Sequence, residues 1–185
     1  MIPARDEALA LLKEYNKSEA LIKHALAVEG VMRHCAGVYG EDAAVWGVIG
    51  LLHDLDYDMY PEQHCVKTME IMRERGLDEW FIRACASHGY GLCVDIEPIS
   101  LAERVLYTID ELTGLVTAAA LMRPSRSVTD LEVKSVMKKY KTRGFAAGCD
   151  RDLIERGCRM LDTTVEEIIA HVIAGMRDVH TEIGL

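Results

Sequence analysis

From Ala43 to Leu52 the chain reads Ala-Ala-Val-Trp-Gly-Val-Ile-Gly-Leu-Leu, apolar almost all the way round a helix, and the run ends directly on His53 and Asp54. A helix without a polar face has to be wrapped by other elements, because any side left in water exposes hydrocarbon. Its length is about half of what a membrane crossing needs, so protein rather than lipid must do the wrapping. The sequence therefore calls for a bundle with this helix at its centre, and it delivers two polar side chains to the interior at the helix's C-terminal end.

The flanking segments supply the partners. Arg5 to Tyr15 begins after Pro3 and carries Ala8, Leu11 and Leu12 on one helical face. Ser18 is placed to cap a helix to about Tyr39, with Leu21, Ala25, Val28, Met32 and Cys35 as its stripe and Gly40 as its stop. The polar stretch from Asp54 to Tyr60 breaks the pattern, and Pro61 opens a helix expected to run through Arg75. A shorter helix over 78–87 leads into the loop His88-Gly-Tyr-Gly. Ser100 and Glu103 form a capping box for the longest helix, to about Met122, with Asp110 in its middle. Beyond Arg123-Pro124-Ser125, helices are expected over 129–141, over 150–161 and from Thr163 or Thr164 onward. Half of the residues are apolar and only 6% aromatic, which suits helix packing, with Trp46 and Trp80 assigned to the core. The expected fold class is all-α, one domain over 1–185 with a bundle core at about 18–122 and a C-terminal helical elaboration at about 123–185.

Charge and cysteines narrow the setting. A net charge of −9 disfavours a stable nucleic-acid partner, since an acidic surface repels phosphate backbones. The segment from Arg123 to Arg143 nevertheless holds seven basic residues against two acidic ones. Arg123 and Arg126 are candidates for phosphate contacts through the guanidinium fork. Lys134 and Lys138 share a helical face with Lys141, either as an anion-attracting rim or as a solvated face balancing an acidic protein. The six cysteines form no C-x-x-C pair, and Cys85 and Cys93 are too far apart in sequence for a zinc knuckle, so all six are expected to be reduced thiols. Acidic residues stand near the N-terminus where a secretion signal would carry a basic flank, and no segment is long enough to cross a membrane. A cytoplasmic protein without a membrane partner is expected.

Four polar residues occupy positions where a core should be apolar: His24 at the edge of the second helix's stripe, His53 and Asp54 at the end of the central helix, and Asp110 within the long one. Burying an unpaired carboxylate costs several kcal/mol, so two aspartates in such helices need partners. A divalent cation answers that need, and imidazole mixed with carboxylate suits manganese, iron, zinc, cobalt or nickel better than calcium. A hydrogen-bonded network without a metal is the competing account.

The order His24, then His53-Asp54, then Asp110, with the apolar run Gly50-Leu-Leu leading into His-Asp, resembles the H…HD…D signature of the HD superfamily of metal-dependent phosphohydrolases. The stretch from Asp110-Glu-Leu-Thr-Gly through Arg123-Pro-Ser to Phe145-Ala-Ala-Gly resembles one bacterial branch of it. The resemblance implies an HD-domain-like helical bundle that hydrolyses a phosphoester of a small phosphorylated metabolite or nucleotide. It also implies a divalent metal (Mn, Fe, Zn, Co, Ni or Mg) that polarises the phosphoryl group and acidifies a water, with Asp54 both ligand and proton acceptor. His64 and His88 are candidates for a second metal or for phosphate. Because His88 is followed by Gly89 rather than a second histidine, one metal is expected and two are the alternative. Asp56 stands where the HDIG form of the motif has glycine; it and Asp58 are read as loop or supporting residues, and Glu111 as a supporting or surface group. A ligand-sensing HD module without turnover is the alternative function, and an intact ligand set speaks against it.

Overall fold

Asp42 caps the apolar run by accepting hydrogen bonds from the amides of Ala44 and Val45, and the helix it starts, Ala43–Leu52, is buried from Trp46 to Leu52. The computed structural model describes residues 1–185. In chain order the helices are α1 (Arg5–Tyr15), α2 (Glu19–Tyr39), α3 (Ala43–Leu52), α4 (Val66–Glu74), α5 (Glu79–Ala86), α6 (Leu101–Leu121), α7 (Val133–Tyr140), α8 (Arg151–Met160), α9 (Val165–Asp178) and α10 (His180–Ile183). The architecture is all-α; the one extended pairing is an isolated bridge between Tyr90 and Val94.

α2 and α6 form the spine. α2 packs on α3 and α9 most extensively and also on α6, while α6 carries α8 on its other flank. The α2–α9 crossing is close because Gly30 and Gly175 meet there: a Cβ on Gly175 would lie 2.5 Å from the Val31 Cα, and one on Gly30 would lie 2.8 Å from the Gly175 carbonyl oxygen. The expected capping boxes form at Ser100 with Glu103 and at Thr164 with Glu167. Gly40 ends α2 in the left-handed conformation that a residue with a Cβ rarely adopts.

Several expectations are corrected. Ser18 precedes α2 without a side-chain cap; its amide and that of Lys17 donate instead to Oδ2 of Asp58, fastening the α1–α2 turn to the loop after His53-Asp54. The helix expected from Pro61 to Arg75 is interrupted, with a 3-10 turn over Pro61–Gln63, His64 in extended backbone, Cys65 at φ +65°, and α4 only from Val66. α7 starts at Val133 rather than near Thr129; in the approach to it Val128 and Leu131 are buried and their carbonyls accept from the Arg177 guanidinium. Trp80 is half exposed, lying on the outer side of α5 beside the buried Phe81, whereas Trp46 is in the core as expected. No helix is long and apolar enough to cross a membrane.

Candidate metal centre

Five chain segments send polar side chains to one point between α2, α3 and α6. His24 comes from the first turns of α2, His53 from the C-terminal end of α3, Asp54 from the turn that follows, Asp110 from the middle of α6, and His64 and His88 from the breaks after Pro61–Gln63 and after α5. Asn16, at the end of α1, holds the turn in place by donating to the Leu55 carbonyl.

The donors divide into two subsites that share Asp54. In the inner one, His24 Nε2 lies 3.0 Å from Asp110 Oδ1 and 3.7 Å from Asp54 Oδ2, and His53 Nε2 lies 3.3 Å from each of those oxygens. In the outer one, the other oxygen of Asp54, Oδ1, lies 3.2 Å from His88 Nε2 and 3.4 Å from His64 Nε2, and the two imidazole nitrogens are 3.1 Å apart. The rings are set by their far nitrogens. Nδ1 of His53 donates to the Gly50 carbonyl at 2.7 Å, Nδ1 of His88 to the Cys85 carbonyl at 2.6 Å, and Nδ1 of His64 to Asp56 Oδ1 at 2.8 Å. With Nδ1 occupied as donor, each neutral ring turns the lone pair of Nε2 toward Asp54.

The arrangement fits a cation. His53 Nε2 is fully buried and makes no hydrogen bond, although two carboxylate oxygens stand 3.3 Å away. Two imidazole lone pairs facing each other repel unless something positive lies between them. The donor set of imidazole and carboxylate suits a borderline divalent metal, and His64, Cys65 and His88 form a further group of ligand atoms within 4.8 Å of one another.

Electrostatics express the same need. Burial pushes the His53 imidazole down, but the Asp54 and Asp110 carboxylates more than reverse this and hold it at about 10. His64 is likewise raised against its burial, to about 9, chiefly by its hydrogen bond to Asp56. Burial works to raise Asp54 and Asp110, yet the facing imidazoles hold both carboxyls well below the usual range. Burial would raise the Cys65 thiol, but His88 and His64 outweigh it and bring it down to about 6.

The centre opens into a cleft of about 630 Å³, whose far wall comes from Ala146, Gly148 and Cys149 beyond α7. Asp54, Asp110 and Glu111 line it, and no lysine or arginine does. Glu111 ties the far wall to α6: its Oε2 accepts from the Asp150 amide and its carbonyl accepts from Cys149 Sγ.

The basic candidates lie elsewhere. Arg123 is locked in a two-point ion pair with Asp130, with nitrogen–oxygen distances of 3.0 and 2.9 Å. Arg126 lines a separate cavity of about 400 Å³ on the other side of His24. Lys134 and Lys138 point to solvent, because α7 turns Val136 and Tyr140 inward against its neighbours. None of the four lines the cleft. Asp56, read as a loop or supporting residue, is fully buried, and its carboxylate accepts from both His64 Nδ1 and the Thr68 amide. Cys65 and its neighbour Cys93 were missed, since chain spacing separates two thiols that the fold brings to 3.4 Å.

Against known protein families, residues 21–115 match the HD domain, just over half of the chain, and the match contains every donor of both subsites. The chain belongs to the HD-domain family. HD domains bind divalent metals and are mostly hydrolases, so the family and the buried donor cluster agree on metal binding. The HD match stops at Leu115, within α6, and the wall formed by Ala146–Cys149 lies outside it. No solved structure matches the chain.

Proposed function

We propose that this HD-domain protein is a phosphohydrolase that cleaves a small phosphorylated metabolite or nucleotide with the help of two divalent cations. The observation that carries this reading is the shared carboxylate: each oxygen of Asp54 faces its own cluster of imidazole nitrogens. His24, His53, Asp110 and Asp54 would hold the inner cation, and His64, His88 and Asp54 the outer one. Such cations polarise a phosphoryl oxygen and acidify a water, which is the chemistry that phosphoester hydrolysis requires.

The protein's own groups have separable tasks. His24, His53 and Asp110 fix the inner position, and Asp56 orients His64 through Nδ1. Asp54 stands between the subsites, where it is placed to take a proton from the attacking water. The charge of the cleft supports the reading further: three carboxylates line it and no lysine or arginine does, so bound cations would supply the positive field that draws a phosphate in.

The test is metal analysis of the purified protein combined with phosphatase and phosphodiesterase assays in manganese, cobalt, nickel, zinc or magnesium. Close to two equivalents of metal and turnover of a phosphoester are expected. His53→Ala should be folded and inert, and Asp54→Asn should weaken metal binding at both positions and lower kcat by at least the roughly 10²–10⁴-fold contribution of a positioned acid–base group. A folded wild type that turns over no phosphoester with any of these metals would favour a ligand-sensing module instead.

A further inference from the structure

We propose that the Cys65 sulfur is a ligand of the outer subsite, making it a position for a thiophilic cation such as zinc, cobalt or iron in preference to magnesium or manganese. This rests on the reading that a cation sits beside Oδ1 of Asp54, and it adds the identity of a ligand and the class of metal.

Cys65 directly follows His64, is fully buried, and places its Sγ 3.8 Å from His88 Nε2. With metal–nitrogen bonds near 2.0–2.1 Å and metal–sulfur bonds near 2.3 Å, tetrahedral ligands sit roughly 3.4 Å apart for two nitrogens and roughly 3.6 Å for nitrogen and sulfur. The observed separations are 3.1 Å between His64 and His88, 3.2 and 3.4 Å from these to Asp54 Oδ1, and 3.8 Å from His88 to the sulfur. These are four of the six edges of a tetrahedral shell, and the ligand atoms of His64, Cys65 and His88 all lie within 4.8 Å of one another. A buried thiol can be satisfied by the backbone alone, as Cys85 is by donating to the Ile49 carbonyl of α3. Cys65 instead faces two inward-turned imidazoles.

The surroundings are shaped around this sulfur. Its backbone holds φ +65°, which breaks the helix expected from Pro61 and turns the side chain back toward His88. Gly89 leaves the space: a Cβ there would come within 2.7 Å of Cys65 Sγ and 2.5 Å of Cys93 Sγ. Cys93 lies at the cleft edge with its Sγ 3.4 Å from that of Cys65, placed as a thiol donor to it. Thiolate donors select zinc, iron and cobalt over magnesium and manganese, which prefer oxygen.

The experiment loads the metal-free full chain with cobalt(II) under a phosphine reductant, which also keeps Cys65 and Cys93 from joining as a disulfide. A sulfur-to-cobalt charge-transfer band in the near ultraviolet should grow as the second equivalent binds. Cys65→Ser should lose that band while keeping the visible absorption of cobalt at the inner subsite, and Cys93→Ser should keep both. In the same Cys65→Ser protein, zinc affinity for the second equivalent should fall by more than the roughly 10–100-fold typical of losing a supporting contact, with manganese affinity little changed. Circular dichroism checks that each variant is folded, and Cys65→Ala repeats the test if the serine form is not. Two bound cobalt ions without the band, or a band that survives in Cys65→Ser, overturns the sulfur ligand and leaves the phosphohydrolase reading standing. A protein that binds no cobalt at all overturns both.

Discussion

At the scale of single residues, the centre is governed by which nitrogen of each histidine is already occupied. Gly50, Cys85 and Asp56 each accept a hydrogen bond from an Nδ1–H, and this costs the sequence only one carbonyl or carboxylate per ring. Asp56 is the most exposed to test, because it is buried and serves both His64 and the start of α4. Asp56→Ala is expected to weaken the second equivalent of metal by roughly 10–100-fold while sparing the first, measured by calorimetric titration. The raised imidazoles give a pH signature as well. His53 at about 10 and His64 at about 9 lie above the ~6.5 of an unfolded chain. Metal-free folded protein therefore holds protons that the unfolded chain has released. The stability these groups contribute is complete below about pH 6.5 and is lost as pH rises through about 9–10. Thermal melts of chelator-treated protein from pH 6 to 10 should show this decline. Metal-loaded protein, in which the same nitrogens are ligands rather than proton carriers, should lack it.

At the scale of elements, what was legible in the sequence follows the difference between local and spatial order. The helices were readable because capping residues and apolar stripes are local, as Asp42, Ser100 and Thr164 illustrate. His24, His53, Asp54 and Asp110 were readable because polar residues on otherwise apolar helix faces are conspicuous, and the fold brings the four together. The break at Cys65 was not, since nothing in Pro-Glu-Gln-His-Cys-Val announces a positive φ at a residue other than glycine. With that break hidden, the meeting of Cys65, Cys93 and Gly89 was hidden too. The basic residues were misleading for a related reason: charge composition does not say which way a helix faces, and α7 is oriented by Val136 and Tyr140. Element packing has its own sensitive point at the α2–α9 crossing. Gly175→Ala sets a methyl against the Val31 backbone and is expected to cost about 1–3 kcal/mol. A thermal melt should register roughly 2–4 °C for each kcal/mol in a chain of this size.

At the scale of the whole molecule, two carboxylates and four imidazoles converge on one space between the helices, which bound cations would fill. Filling the centre stabilises the folded chain by mass action, about 2.7 kcal/mol when free metal exceeds its dissociation constant a hundredfold. Chelation should accordingly lower the melting temperature, and re-addition of the native metal should restore it. In Asp110→Ala, which removes a carboxylate of the inner subsite, most of that response should disappear. The far wall of the cleft has a different consequence. Ala146–Cys149 is anchored to the long helix through Glu111 but donates nothing to either cluster of ligands. Grip and taste are thus written in separate stretches of chain: relatives could exchange this collar, and with it the molecules admitted, while the socket beneath kept its ions untouched.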